Sequence, residues 1–231
     1  MNNVFSFDDP FSPRKSIAGT EDFSGGRTTN LGLQSVTIAW DNNPEINPKY
    51  CPVYVEQSTT GDGRRFMAYI TGEINDVDAY IDLIDTLLSA TAKDSYYIFI
   101  DSPGGRISAG SIIASAIHHC QAEVFTVARG LCASAAALIH NAARPGHALV
   151  GDMAVLMIHM SSHMDVGVST FIQERAANQV RYVNENLLAK ALEMGYITAE
   201  ELAGIQNGEE VFISAEEFRD RIRQHNAAAG E

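Results

Sequence analysis

Positive charge is scarce in this chain: 16 lysines and arginines face 29 aspartates and glutamates, a formal net charge of −13 over 231 residues. Binding a phosphate backbone or an anionic membrane surface needs clustered cations. No basic cluster occurs, which argues against nucleic acid and membrane as partners. Cysteine is equally sparse. Cys51, Cys120 and Cys132 lack CxxC or His-interleaved spacing, so neither a disulfide framework nor a metal site is expected, and a reducing, cytoplasmic setting is. No run of about 18 apolar residues occurs, and the opening MNNVFSFDDPFSPRK carries no apolar core of a secretion signal. A GxxxxGK[ST] phosphate loop is also missing, so any ATP-driven step would belong to another chain. The expectation is a soluble, unsecreted protein without a cofactor or an internal repeat.

What is present is enough for one sizeable core, since 45% of the residues are hydrophobic. Residues 1–50 are rich in Asn, Asp, Ser, Gly and Pro apart from SVTIAW at Ser35 to Trp40, and read as a flexible arm with one edge strand. The folded domain is expected over residues 51–224, with a frayed tail at 225–231. Within the domain, Val53 to Val55, Arg65 to Ile74, Tyr96 to Ile100, Val124 to Ala128, Ala148 to Val150 and Ala154 to Ile158 have strand character. Helical patterns separate most of them. One helix is capped by Asp76 or Asp78, with Tyr80, Ile84, Leu87 and Leu88 on its apolar face. Another is capped by Ser108, with Ile112, Ile113, Ala116 and Ile117 inward. A third, long helix runs from a Thr170/Gln173 capping box to Met194 with a stripe of Ile172, Ala176, Val180, Val183, Leu187 and Ala191. Capping boxes at Thr198/Glu201 and Ser214/Glu217 start two short helices. Such alternation predicts an α/β fold with a parallel sheet and crossover helices.

The chemistry centres on Gly130 to His140, GLCASAAALIH. Ser134 stands where a strand turns into a helix, and the first turn of a helix leaves N–H groups free to stabilise negative charge. A tetrahedral intermediate of acyl transfer needs such donors at its oxyanion. Ser134 is therefore a candidate nucleophile, although a serine at that junction is also an ordinary helix cap. A hydroxyl needs a base to take its proton, and histidine is suited to that near neutrality. Of seven histidines, His159 closes an apolar strand whose end should lie near Ser134; His163 is the competing base. The double glycine Gly104-Gly105 follows another strand and lets bare backbone approach a ligand.

Three strings, SPGGRISAG, GLCASAAALI and VLMIHMS, together with their spacing of 29 residues from Gly105 to Ser134 and 25 from Ser134 to His159, resemble the proteolytic subunit of the Clp protease. The resemblance covers about Phe66 to Ile222. It implies a serine peptidase of the Clp/crotonase fold, built from repeated β-β-α units with a protruding long helix. It assigns Ser134 as nucleophile, His159 as general base, and the backbone N–H groups of Gly105 and Ala135 as the oxyanion hole. It also places an aspartate shortly before the strand Val211 to Ser214, where this chain has Gly204-Ile205-Gln206-Asn207-Gly208-Glu209-Glu210. Counting back from Phe212 selects Gln206, and counting forward from Gly195 selects Gly204. Asn207 is the preferred third member, because its amide oxygen can accept the imidazole N–H. Glu209, Glu210 and Asp165 are the alternatives.

The same resemblance implies peptide or protein substrates, a homo-oligomeric ring or stacked rings joined through the helix from Thr170 to Met194, and a separate ATPase unfoldase. Relatives with an N-terminal arm occur in tailed phages as prohead proteases, which would place the chain in the host cytoplasm. Two other readings share the fold. One is a catalytically silent ring or scaffold subunit, suggested by the missing aspartate; the other is a crotonase-like enzyme acting on acyl-CoA.

Overall fold

The computed structural model describes residues 51–57, 63–160 and 170–229. The expected arm at 1–50, His163 and Asp165 lie outside them. In chain order the elements are β1 (Val53–Gln57), β2 (Arg64–Thr71), a 3-10 turn (Val77–Tyr80), α1 (Ile81–Ser89), β3 (Ser95–Ser102), α2 (Ile107–His119) and β4 (Glu123–Ala133). Then follow α3 (Ala135–His140), β5 (Ala148–Val150), β6 (Val155–Ile158), α4 (Thr170–Glu193), α5 (Ala199–Gln206), β7 (Val211–Ser214) and α6 (Ala215–Ala229). The strands form one seven-stranded sheet in the order β1-β2-β3-β4-β6-β7, with β5 also pairing β4. β2, β3, β4, β5 and β6 run parallel where they pair, and the edge strands β1 and β7 are antiparallel to their neighbours. The expected α/β class with a parallel sheet holds.

One face of the sheet buries Phe66, Ala68, Ile70, Tyr96, Ile98 and Ile100 beneath α1 and α2, which contribute Leu83, Leu87, Ile113 and Ile117. Burying a side chain of this size stabilises by about 1.5–3 kcal/mol. The opposite face holds a smaller cluster of Met67, Phe99 and Val127 with Tyr54, Tyr69, Tyr97 and Leu149 packed against it. At the far end of β2 and β3 the Asp94 carboxylate accepts hydrogen bonds from Arg64 N–H (2.7 Å) and Thr91 N–H (2.7 Å) and pairs with the Arg64 guanidinium at 2.9 Å.

Several local expectations shift. Of the face expected for the first helix, Tyr80 and Leu87 are buried and Ile84 packs partly buried against the core; Leu83 joins them and Leu88 is exposed. Tyr80 itself closes the 3-10 turn rather than lying in α1. Ile112 likewise faces out, and Ser108 does not cap α2: the helix starts at Ile107, with Arg106 O accepting the first helical bond from Gly110 N–H at 3.1 Å. Thr198 and Glu201 do form the full capping box. α6 is not short, and it carries the alanine-rich residues after His225 as helix to Ala229, in keeping with their high helix propensity. On α4, Val180, Leu187 and Ala191 of the expected stripe are buried.

Three neighbouring parallel strands end at the same end of the sheet. β3 runs into Pro103-Gly104-Gly105, β4 into Ser134 and β6 into His159. Sites in parallel sheets gather at the carboxyl ends of strands, where side chains are held by the sheet and their tips are free.

Candidate active site

Ser134 has φ 57° and ψ −121°, and among the described residues it is the one non-glycine with positive φ. Such backbone costs of order 1–3 kcal/mol and persists only where packing enforces it. Here Ala133, Ala135, Ala136 and Ala137 are all buried around it, and the Ser134 N–H donates to Met157 O at 2.9 Å. The helix-cap reading fails at the side chain, which makes no capping hydrogen bond. Instead Ser134 Oγ lies 2.8 Å from His159 Nε2. With the imidazole proton on Nδ1, the hydroxyl donates to Nε2, the geometry in which a base can take that proton.

The glycine loop abuts the serine. Gly104 has φ 95°, and a Cβ there would sit 2.6 Å from Ala133 O and 2.7 Å from Ser134 Cβ, so only glycine fits. The Ser102 hydroxyl, fully buried, accepts the Gly104 N–H at 3.1 Å. Ile74 clips the loop from the other side, donating to Gly104 O at 2.7 Å and accepting from Arg106 N–H at 2.9 Å. An Arg106–Asp76 ion pair at 2.8 Å braces that clip. Among the described residues, no acceptor is paired with the N–H of Gly105 or of Ala135.

The third position is where expectation and geometry part. Asn207 caps the C-terminus of α5 and is exposed, and no hydrogen bond joins it to His159 among the described residues. The carboxylate that approaches the imidazole is Glu210, with Oε1 3.8 Å from Nδ1. Strand register is the reason. β6 and β7 pair Val155 with Ser214 and Ile158 with Val211, and one further step sets Glu210 opposite His159. Asn207 lies three residues beyond that step, and Gln206 and Gly204 belong to α5. Glu209 turns back over α5, where its carboxylate occupies the space a Gly204 side chain would need. At 3.8 Å the Glu210 contact is too long for a hydrogen bond, and the Glu210 side chain is 54% exposed.

Among the described residues, the other histidines are engaged or exposed. His140 is fully buried and pairs through Nε2 with Leu149 O at 2.9 Å; burial lowers its pKa and keeps it neutral. His147 stacks on Phe125, and His118 and His119 are exposed at the end of α2. The three cysteines are free and buried. Burial pushes the Cys51 thiol up to about 12 and Cys132, two residues before Ser134, higher still, which leaves both without nucleophilic thiolate.

A family model described as Clp protease matches residues 64–220. The chain belongs to the Clp protease family. Its curated relatives include the ATP-dependent Clp protease proteolytic subunit of Ligilactobacillus salivarius (strain UCC118), 33% identical over 135 residues that span 53% of this chain and 68% of that protein. The ATP-dependent Clp protease proteolytic subunit 3, chloroplastic, of Arabidopsis thaliana is 30% identical over 154 residues, covering 65% of this chain and 48% of its own length. The chain therefore spans about half of the Arabidopsis relative. A peptidase of the Clp type is the function class these relatives support. Among the described residues of this Clp-family chain, no helix is long and apolar enough to cross a membrane.

Proposed function

We propose that this chain is a serine endopeptidase that cleaves peptide bonds through an acyl-enzyme on Ser134. The observation that carries the reading is the 2.8 Å approach of His159 Nε2 to a serine hydroxyl held on strained backbone. As the peptide carbonyl arrives, Ser134 Oγ bonds to its carbon and the hydroxyl proton passes to Nε2. The carbonyl oxygen becomes an oxyanion between the N–H groups of Gly105 and Ala135, where each donor is worth about 10²–10³ in rate. Collapse expels the amine, which takes the proton from Nε2 and leaves an ester on Ser134. Water, deprotonated by the same imidazole, then releases the acid and restores the serine.

Glu210 takes the third role in place of Asn207. Its carboxylate faces Nδ1 and stabilises the imidazolium that forms after proton transfer. The names of the relatives, ATP-dependent and proteolytic subunit, support an assembly of several copies that receives its substrate from a separate ATPase. Action on capsid protein in a phage would use the same chemistry.

Labelling with a fluorophosphonate tests the proposal. The expected result is one adduct, mapped to Ser134, together with peptide turnover that Ser134→Ala removes. An assembled sample that takes no label and turns over no peptide would establish instead the silent-subunit reading, which the loose Glu210 contact favours.

A further inference from the structure

Between β3 and β4 the pairing register breaks. Ile100 pairs with Ala128, yet two residues later Ser102 pairs with Cys132, so β4 spends four residues where β3 spends two. Three residues, Arg129-Gly130-Leu131, thus stand opposite Asp101 alone, a surplus of two that bulges immediately before the strand segment leading into Ser134. A bulge leaves backbone donors without ladder partners. One of them is met by a side chain: Leu131 N–H donates to Asp101 Oδ1 at 3.0 Å. The carboxylate sits where a side chain at residue 130 would project, since a Cβ on Gly130 would fall 2.4 Å from the same Oδ1 and 3.2 Å from Oδ2.

Asp101 also ties the other side. Its carbonyl accepts Gly72 N–H at 3.0 Å, and the next residue, Ser102, holds Gly104. Asp101 therefore links the end of β2 to the bulge that delivers Ser134, and its neighbour Ser102 holds the glycine loop. A one-residue slip of a strand sends every side chain to the opposite face. For β4 beyond the bulge, that slip would carry Ser134 away from both His159 and Gly105.

We infer that Asp101 and Gly130 act as a register pin, a carboxylate seated in a side-chain-free notch, which positions the nucleophile relative to the oxyanion loop. Asp101 is a positioning residue and touches no reacting atom. The role needs an acceptor oxygen at Oδ1 and does not need charge.

The inference rests on the peptidase reading of Ser134, and its test separates the two. Wild-type protein is labelled with a fluorophosphonate; failure to label defeats the peptidase reading and leaves the pin to be judged by amide hydrogen exchange at Leu131, which requires no activity. Asp101→Ala is expected to slow labelling and kcat about 10–100-fold with KM within about twofold, and to raise exchange at Leu131 about tenfold or more. Asp101→Asn, which keeps an acceptor in place, is expected to restore both to within about threefold of wild type. Gly130→Ala is expected to reproduce the Asp101→Ala loss, and adding it to Asp101→Ala should cost little more, because the alanine then meets no carboxylate. Wild-type labelling and Leu131 exchange in Asp101→Ala would overturn the pin. So would an Asp101→Asn variant as slow as Asp101→Ala, or additive losses in the double variant. Should Asp101→Ala fail to fold, the comparison of Gly130→Ala with Asp101→Asn carries the same decision.

Discussion

The two halves of the site are built differently. On the nucleophile side almost everything is backbone: Ser134 on strained dihedrals, Gly104 in contact with its Cβ, Ile74 clipping the loop, and alanines buried all around. On the proton-relay side the groups are side chains at the rim, with His159 26% and Glu210 54% exposed and 3.8 Å between them. Backbone held by buried neighbours has one position available, whereas an exposed glutamate loses rotamer freedom to hold any contact. The nucleophile half should therefore be intolerant of change, and the relay half graded.

Removing either reacting group should have the largest effect. Ser134→Ala and His159→Ala are each expected to lower kcat by at least about 10⁴-fold, and the double variant should be no worse than the singles, because the pair acts as a unit. Steady-state kinetics on a fluorogenic peptide checks this; additive losses would separate the two roles.

Gly104→Ala probes the backbone half without touching a reacting atom. A methyl 2.6 Å from Ala133 O must displace the loop or the serine, so labelling of Ser134 should fall about 10²-fold or more with His159 intact. Near-normal labelling would break the contrast between the halves.

On the relay half, Glu210→Gln should lower kcat about 10–100-fold, less than the roughly 10⁴-fold seen where a buried aspartate is fully engaged. Asn207→Ala should change kcat by less than about twofold. The reverse order would return the third role to Asn207.

In the proposed mechanism the neutral imidazole is the base, so kcat/KM should rise with pH, and this rise should vanish in His159 variants. A flat wild-type profile would remove His159 from the reaction.

The smallest effect lies away from both halves, at Asp94. Burial alone would raise its carboxyl, but the hydrogen bonds from Arg64 and Thr91 outweigh it and hold the group well below the ordinary carboxylate range. The folded-state value is depressed, so this stability is present above about pH 4 and is lost as pH falls below it. Melting temperature should drop on acidification, and Asp94→Asn should be less stable at neutral pH with a shallower acid decline.

Much of this was legible before any coordinates. Hydrophobic and β-branched runs marked the strands, and Ser134 and His159 stood at strand ends because local composition marks where a strand stops. On α1 only Leu88 departs from the expected face, since it stands at the margin of the apolar stripe, where residue spacing does not reveal whether a side chain is covered. Asn207 was preferred to Glu210 for a related reason: counting along the chain treats α5 and its turn as a fixed length, and only pairing tells which residue faces His159. Asp101 and Gly130 carry no local signal at all, since an aspartate before a turn and a glycine in a strand are each ordinary.

By itself, the sequence determined the α/β class, the candidate nucleophile and base, and the glycine loop, because short-range patterning and three ordered strings encode them. Tertiary structure alone decided which carboxylate meets the imidazole, that the serine hydroxyl points to His159 rather than capping α3, and where β4 bulges. Each of those outcomes depends on strand register, and register is set by packing between segments far apart in the chain.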